Sequence, residues 1–272
     1  MANTKTTTDQ PQKVNKFPTE IVDLPSKGYF YPDDNPLSQG QIEIKYMTAR
    51  EEDILTSANL IKKGKVLDKL LEAVIVGNGN GNEINIEDML IGDKNAIMFA
   101  CRILGYGKDY QCRVQDAASG IDQQETIDLT QLEHKKIDFK KFEKGINQFP
   151  FTCPASKREV LLRLLTHRDE AQIEMEQKGM KKLELRTGVS SELSTRMKHM
   201  LIAVDGNDDP QYIREFVDNE LLSRDSLALR EHLVSVQPDI DTDIVITSEE
   251  DGTEVKTTVP MTVDFFWPKT RT

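Results

Sequence analysis

Three cysteines and four histidines are the side chains of this 272-residue chain best suited to hold a metal or to serve as nucleophile and base. Cys101, Cys112 and Cys153 stand alone and odd in number, without a Cys-x-x-Cys pair. Neither a disulfide framework nor redox or zinc chemistry follows from that spacing. His134, His167, His199 and His232 have no carboxylate or thiol at catalytic spacing, and each reads as a surface or cap-adjacent residue. No His-x-x-x-His pair, nucleophile elbow or Walker loop occurs in the sequence. Gly77-Asn78-Gly79-Asn80-Gly81-Asn82 lacks the lysine and the helix opening of a phosphate loop, so it reads as a plain loop. Glu51, Glu52, Asp53, Asp169 and Glu170 fall in first helical turns, where the macrodipole favours acids. No constellation converges, and the expectation is that the protein is not an enzyme and carries no cofactor.

Composition narrows the classes further. Charged residues make up 30% of the chain and hydrophobic ones 38%, with a net charge of −11. An acidic chain without a basic cluster does not bind nucleic acid by neutralising phosphates. No apolar run reaches the ~20 residues of a membrane span. The polar start, Met1 to Gln10, lacks the apolar centre of a secretory signal, so the expected compartment is the cytoplasm.

Periodicity gives the elements that would position a site. Residues 1–22 show no apolar period and are expected to form a flexible arm. Leu24-Pro25-Ser26-Lys27-Gly28 turns tightly into Tyr29, Phe30 and Tyr31, a strap of rings read first as core packing and second as a docking contact. Gln41 to Met47 alternates like a half-buried strand, and Thr48-Ala49-Arg50-Glu51 is a capping box. A helical stripe runs from Ile54 to Val74, divided at Gly64. Asp93 is placed as the cap of a helix stopped by Gly105, and Asp209-Pro210 opens another. A further helix covers Asp225 to about Val236. Two hairpins are expected: Tyr110–Val114 with Glu125–Leu129, and Asp243–Thr247 with Glu254–Val259. Phe265-Phe266-Trp267-Pro268 closes the body and, like the strap, is read as core first and contact second.

These elements come in the same order twice. Ile44 to Glu52 returns as Leu162 to Glu170, Leu90 to Asn95 as Leu221 to Ser226, and the turn Asp116 to Gly120 as Ser248 to Gly252. The spacing is 118 residues from Thr48 to Thr166, 131 from Leu90 to Leu221 and 132 from Asp116 to Ser248. Landmark order is kept, so duplication is the expected origin. The fold class that follows is α+β and helix-rich, with two pseudo-repeated units, each a strand, capped helices and a terminal β-hairpin. The boundaries are an arm at 1–22, a first unit at 23–137, a linker at 138–147, a second unit at 148–268 and a tail at 269–272.

Several stretches resemble the T-even-type phage baseplate hub subunit family. The carrying residues are Leu24 to Gly28 with Tyr31-Pro32, Met47 to Leu55, Leu90 to Ile97, Arg102-Ile103 and Tyr106-Gly107. Phe216 to Asn219, Ser226 to Glu231 and Phe265 to Pro268 add to them in the second half. The resemblance implies a virion protein assembled in the host cytoplasm and acting in formation of the central hub of a contractile tail. The implied partners are baseplate hub and tail proteins, with no nucleic acid and no membrane, and oligomerisation within the baseplate is compatible with it. A transient tail assembly chaperone is the alternative reading. A non-phage adaptor or a metal-dependent enzyme is the lesser one.

One departure from that family concerns the hairpin tips. Relatives of this kind carry Cys-Pro-x-Cys-Gly there, as in a zinc ribbon, whereas this chain has Asp116-Ala117-Ala118-Ser119-Gly120 and Ser248-Glu249-Glu250-Asp251-Gly252. The thiolates a structural zinc requires are missing. The expectation is a metal-free, zinc-ribbon-like pair of hairpins, with Asp116, Ser119, Ser248 and Asp251 as degenerate ligand positions. Two acids and two hydroxyls form a poor cage for a hard cation, the lesser reading of those four residues. Tyr29, Phe30, Tyr31, Phe265, Phe266 and Trp267 are the candidate partner contacts, since aromatics supply most hot-spot energy.

Overall fold

Ile42 and Ile44 alternate with polar neighbours, and the backbone there is a strand that buries both completely. Each such side chain is worth about 1.5–3 kcal/mol. The structure, a computed structural model, describes residues 18–115, 120, 122–249, 252–261 and 265–266. Strands β1 (Thr19–Asp23), β2 (Gln41–Lys45) and β3 (Ile75–Gly77) form an antiparallel sheet in that order. Thr48 converts strand to helix: its N–H donates to Glu51 Oε2 at 2.8 Å, and Lys45 Nζ reaches Glu51 Oε1 at 2.8 Å. Helices α1 (Ala49–Thr56), α2 (Ala58–Lys63) and α3 (Val66–Val74) lead back to β3. Helix α4 (Ile91–Tyr106) and the hairpin β4 (Asp109–Gln115) with β5 (Asp122–Asp128) complete the first half.

The second half has a matching order. Strands β6 (Phe149–Thr152) and β7 (Glu159–Leu162) precede α5 (His167–Thr187) and α6 (Glu192–Met200), and β8 (Leu201–Val204) closes the sheet β6-β7-β8. Thr166 N–H donates to Asp169 Oδ2 at 2.8 Å, and Arg163 Nη2 lies 2.6 Å from Asp169 Oδ1. Helix α7 (Pro210–Glu215) passes into a π turn, Phe216–Glu220, then α8 (Ser223–Val236) and the hairpin β9 (Asp243–Thr247) with β10 (Glu254–Thr258). Both sheets carry one register shift, between Glu43 and Ile44 in the first and between Leu161 and Leu162 in the second. Helix takes 44% and strand 23%, which makes the class α+β weighted towards helix.

Several expectations need correction. Residues 19–22, placed in the arm, pair with β2 as β1 (Thr19 opposite Lys45), and Pro18 O accepts from Tyr46 N–H at 3.2 Å; residues 1–17 lie outside the described residues. The stripe from Ile54 to Val74 breaks at Ser57 as well as Gly64, because Ser57 is extended (ψ 105°) and Gly64 is left-handed (φ 68°). Asp93 does not cap α4. Leu90 stands at the cap, and Asp93 is the third helical residue, fully buried. Nor does Gly105 stop that helix, which runs on to Tyr106 and ends at Gly107. A Cβ on Gly105 would lie 2.0 Å from Met47 Cε, so the end of the Met47 side chain packs into the space this glycine leaves.

The halves share one core, in which Leu24, Ile44 and Ile97 of the first belong to the same buried cluster as Leu162, Phe216 and Phe265 of the second. Residues 138–147, expected as a linker, lie over the aromatic strap: Phe139 and Phe142 stack on Phe30 with centroids 5.8 and 5.7 Å away. Phe265 inserts between Phe99 (5.0 Å) and Tyr110 (5.1 Å) of the first half. The hairpins meet as well. Gln123 Nε2 donates to Thr247 O at 2.9 Å, Glu249 N–H donates to Gln123 Oε1 at 3.2 Å, and Thr257 Oγ1 donates to Gln115 O at 3.2 Å. Among the described residues no helix is long and apolar enough to cross a membrane.

Candidate functional site

Where the halves touch, two helix starts are laid side by side. Ile91 N–H donates to Leu165 O at 3.2 Å and His167 N–H donates to Met89 O at 2.8 Å, so the first turns of α4 and α5 are neighbours. This backbone pairing brings Lys94 of α4 against His167 of α5, and the first turn of α3 supplies Asp68. Lys94 Nζ lies 2.9 Å from His167 Nδ1, His167 Nε2 lies 3.2 Å from Asp68 Oδ1, and Lys65 Nζ lies 3.0 Å from Asp68 Oδ2. The side chains of Lys94, His167 and Asp68 are only 14, 11 and 18% exposed.

The chemistry of the neighbours sets the direction of each hydrogen bond in the row. Lys94 has only hydrogens to give, so Nδ1 of His167 accepts and Nε2 carries the hydrogen donated to Asp68. The hydrogen bond from His167, opposed by burial and aided by Lys65, holds the Asp68 carboxyl below the usual carboxylate range. Burial pulls the Lys94 ammonium down, against the attraction of Asp68 and Glu170. The row is a charged clasp joining three helices from two halves, with its donors and acceptors turned on one another.

A second polar centre lies deeper. Asp93 is fully buried and accepts from Ser26 N–H at 2.9 Å, Ser26 Oγ at 2.6 Å and the Tyr31 hydroxyl at 2.6 Å. The same hydroxyl accepts from Leu90 N–H at 2.8 Å, so strap and helix start are knotted together. Burial lifts the Asp93 carboxyl to about 6 and raises Tyr31 well above the ordinary tyrosine value. Asp225, also fully buried, accepts from Ala155 N–H at 2.7 Å and Ser156 N–H at 3.0 Å. There burial is outweighed by the Ala155 and Ser156 backbone donors together with the Ser156 side chain, and the carboxyl is held down.

The predicted contact rings are distributed differently from a docking surface. Phe30, Tyr31, Phe265 and Phe266 are 0–3% exposed and packed in the chain's own core. Tyr29 is half-buried and donates its hydroxyl to Phe142 O at 2.9 Å. Trp267 lies outside the described residues, as do Asp116, Ser119 and Asp251 of the hairpin tips. Ser248 is described and buried; its N–H donates to Thr253 O at 2.8 Å and its carbonyl accepts from Gly252 at 3.0 Å, closing the turn. Among the described residues no group of three or more His, Cys, Asp or Glu is placed to hold a metal ion.

Two histidines do have the carboxylates their sequence spacing denied them: His167 has Asp68, and His199 has Glu176 at 3.3 Å. The partners are far apart in sequence, 73 residues from Lys94 to His167, and no motif announces them. The one legible hint was a histidine directly after a helix-capping threonine. Comparison with protein families, with curated proteins and with solved structures finds no match.

Proposed function

We propose that this chain is a structural or assembly component of a contractile phage tail, acting through protein–protein contacts in formation of the baseplate central hub. The observation that carries the reading is the Asp93 knot. The separate words behind the family resemblance, Leu24 to Gly28, Tyr31 and Leu90 to Asn95, close on this one carboxylate. Arg102 and Gly107, another such pair, also meet, Arg102 Nη1 donating to Gly107 O at 2.9 Å. Residues of this kind build a body, which suits a scaffold better than a reaction centre.

The reading includes a duplicated body. Lys45–Glu51 and Arg163–Asp169 are equivalent pairs at the 118-residue spacing of Thr48 and Thr166, and the register shifts at Ile44 and Leu162 fall at that spacing too. Asp93 and Asp225 are 132 residues apart, and this supports aligning Leu90 with Leu222 in place of Leu221. The hairpins form the metal-free counterpart of a zinc ribbon, with Gln123 of one bonded to Thr247 and Glu249 of the other.

The test is co-expression and co-purification with the products of neighbouring tail genes. The expected result is a complex of fixed stoichiometry with a hub protein; no complex with any of them would sink the assignment. Mass spectrometry of purified virions separates a permanent subunit from a chaperone, the former being expected in the mature particle. Elemental analysis should find no zinc, and about one zinc per chain would refute the metal-free hairpin pair.

A further inference from the structure

The two hairpins join at both ends and part in the middle. At the base, His134 and Ile240 form an antiparallel bridge, with Lys135 N–H donating to Asp239 O at 2.8 Å and Asp241 N–H to Glu133 O at 2.7 Å. Near the tip, Gln123 bonds to Thr247 O at 2.9 Å and to Glu249 N–H at 3.2 Å. Between these closures β5 and β9 run antiparallel on opposite sides of a groove of about 640 Å³. Each belongs to a two-stranded sheet, β5 paired with β4 and β9 with β10, so each turns its other edge outward.

Consecutive residues line this groove, 125–128 on one side and 243–247 on the other. A groove over a sheet face would be lined by alternate residues; an unbroken run is what a strand edge presents. Five residues of strand span roughly 16 Å at ~3.3 Å each, enough for one short extended segment. Ile127, Leu132, Ile244 and Ile246 supply apolar lining. Glu125, Asp128, Glu133, Asp241 and Asp243 supply five acids, and among the described residues no lysine or arginine lines the groove. Lys108 holds Asp128 at 2.6 Å, and Lys136 lies 3.9 Å from Glu133.

We infer that this groove takes up an extended basic segment of another protein as a strand shared between β5 and β9. Main-chain hydrogen bonds to two facing edges would provide affinity, and the lining would choose the side chains: apolar residues alternating with lysine or arginine. Charge complementarity selects the basic partner: Lys108 and Lys136 answer two of the five carboxylates, and an acidic or neutral strand gains nothing from the rest. The inference stands apart from the hub reading, since it uses only the edges and charges of this chain.

The probe is a fluorescein-labelled ten-residue peptide of alternating lysine and valine, titrated by anisotropy into the full chain at low salt. Its isomer with the lysines and valines in separate blocks is the control. Saturable binding is expected for the alternating peptide, weakened at least tenfold by Asp241→Lys with Asp243→Lys. The pair Glu83→Lys with Glu143→Lys, exposed acids away from the groove, should leave it within about twofold. Amide exchange in the wild-type complex should slow at least tenfold over 125–128 and 243–247. Absence of binding, equal binding of the block isomer, protection confined to other segments, or protection of these amides by self-association of the free chain would each overturn the proposal.

Discussion

Asp93 and Asp225 hold the same post in their helices: each is the third residue, each is fully buried, and each turns its carboxylate onto a loop about 70 residues earlier in the chain. The two differ in what they accept. Asp93 takes two hydroxyls and one amide, whereas Asp225 takes two amides. Hydroxyls rotate and can reverse a hydrogen bond; backbone amides cannot.

That difference predicts unequal tolerance of an amide. Asp225→Asn presents an NH₂ group to one of two fixed donors and should cost about 2–3 kcal/mol, the penalty of an unmade buried hydrogen bond. Asp93→Asn should cost about 1 kcal/mol or less, because Ser26 Oγ and Tyr31 can turn to accept. Asp93→Ala, which strands all three donors, should cost about 3–5 kcal/mol. Urea unfolding monitored by circular dichroism measures all three.

Opposite pH dependences follow from Asp93 and Glu51. Burial raises Asp93 from 3.8 to about 6, so its contribution to stability is full below about 4 and is lost as pH rises through 6. Glu51 is pushed up by burial but pulled down further by Lys45 and Thr48, from 4.5 to about 2. Its contribution is full above about 4.5 and is lost as pH falls towards 2. The free-energy gap between wild type and Asp93→Asn should therefore move in favour of the variant between pH 4 and 7. The gap between wild type and Glu51→Gln, about 2 kcal/mol near neutrality after allowance for the partly exposed Lys45, should close between pH 5 and 2.5. Chemical unfolding across that range reads both.

At the seam, His167→Ala leaves Lys94 and Asp68 facing each other across 3.8 Å without their mediator. The expected loss is about 2–3 kcal/mol. A double-mutant cycle with Asp68→Ala should give a coupling of about 1–2 kcal/mol. If the effects of the two changes simply add, the clasp is not a unit.

Gly92→Ala tests the docking of the segment before β9 on α4. The new Cβ would lie 1.8 Å from Pro238 O, a fixed backbone atom, although Asn95 Nδ2 still donates to Asp239 Oδ1 at 3.1 Å. A loss of about 3 kcal/mol or more in unfolding free energy is expected. At Gly179, where no atom lies within 4 Å, the same change should stabilise α5 by a few tenths to 1 kcal/mol.

Local chemistry accounts for what the sequence made legible. Thr48 with Glu51 and Asp209 with Pro210 are signals contained within four residues, and the structure has both. The hairpin strands came out within three residues at each end, and β4 within one, because alternation of burial over β4 is unbroken. Asp93 was misplaced because an acid near a helix start has two uses, capping and long-range acceptance, and the donor that decides between them, Ser26, is 67 residues away. The Lys94–His167–Asp68 row was invisible for the same reason. It is created when Leu90 and Thr166 bridge, a pairing that no periodicity encodes.

Phe265, seated between Phe99 and Tyr110, has a bearing on synthesis. The apolar notch at Phe99 stays open on the ribosome until residues well past the second half's last strand have emerged. At the usual 5–20 residues per second, that interval is roughly 8–30 s. During it the first half can build its sheet and the Asp93 knot, yet a sticky face remains open on α4. A nascent chain of this protein is thus exposed at α4 until Phe265 itself has left the tunnel.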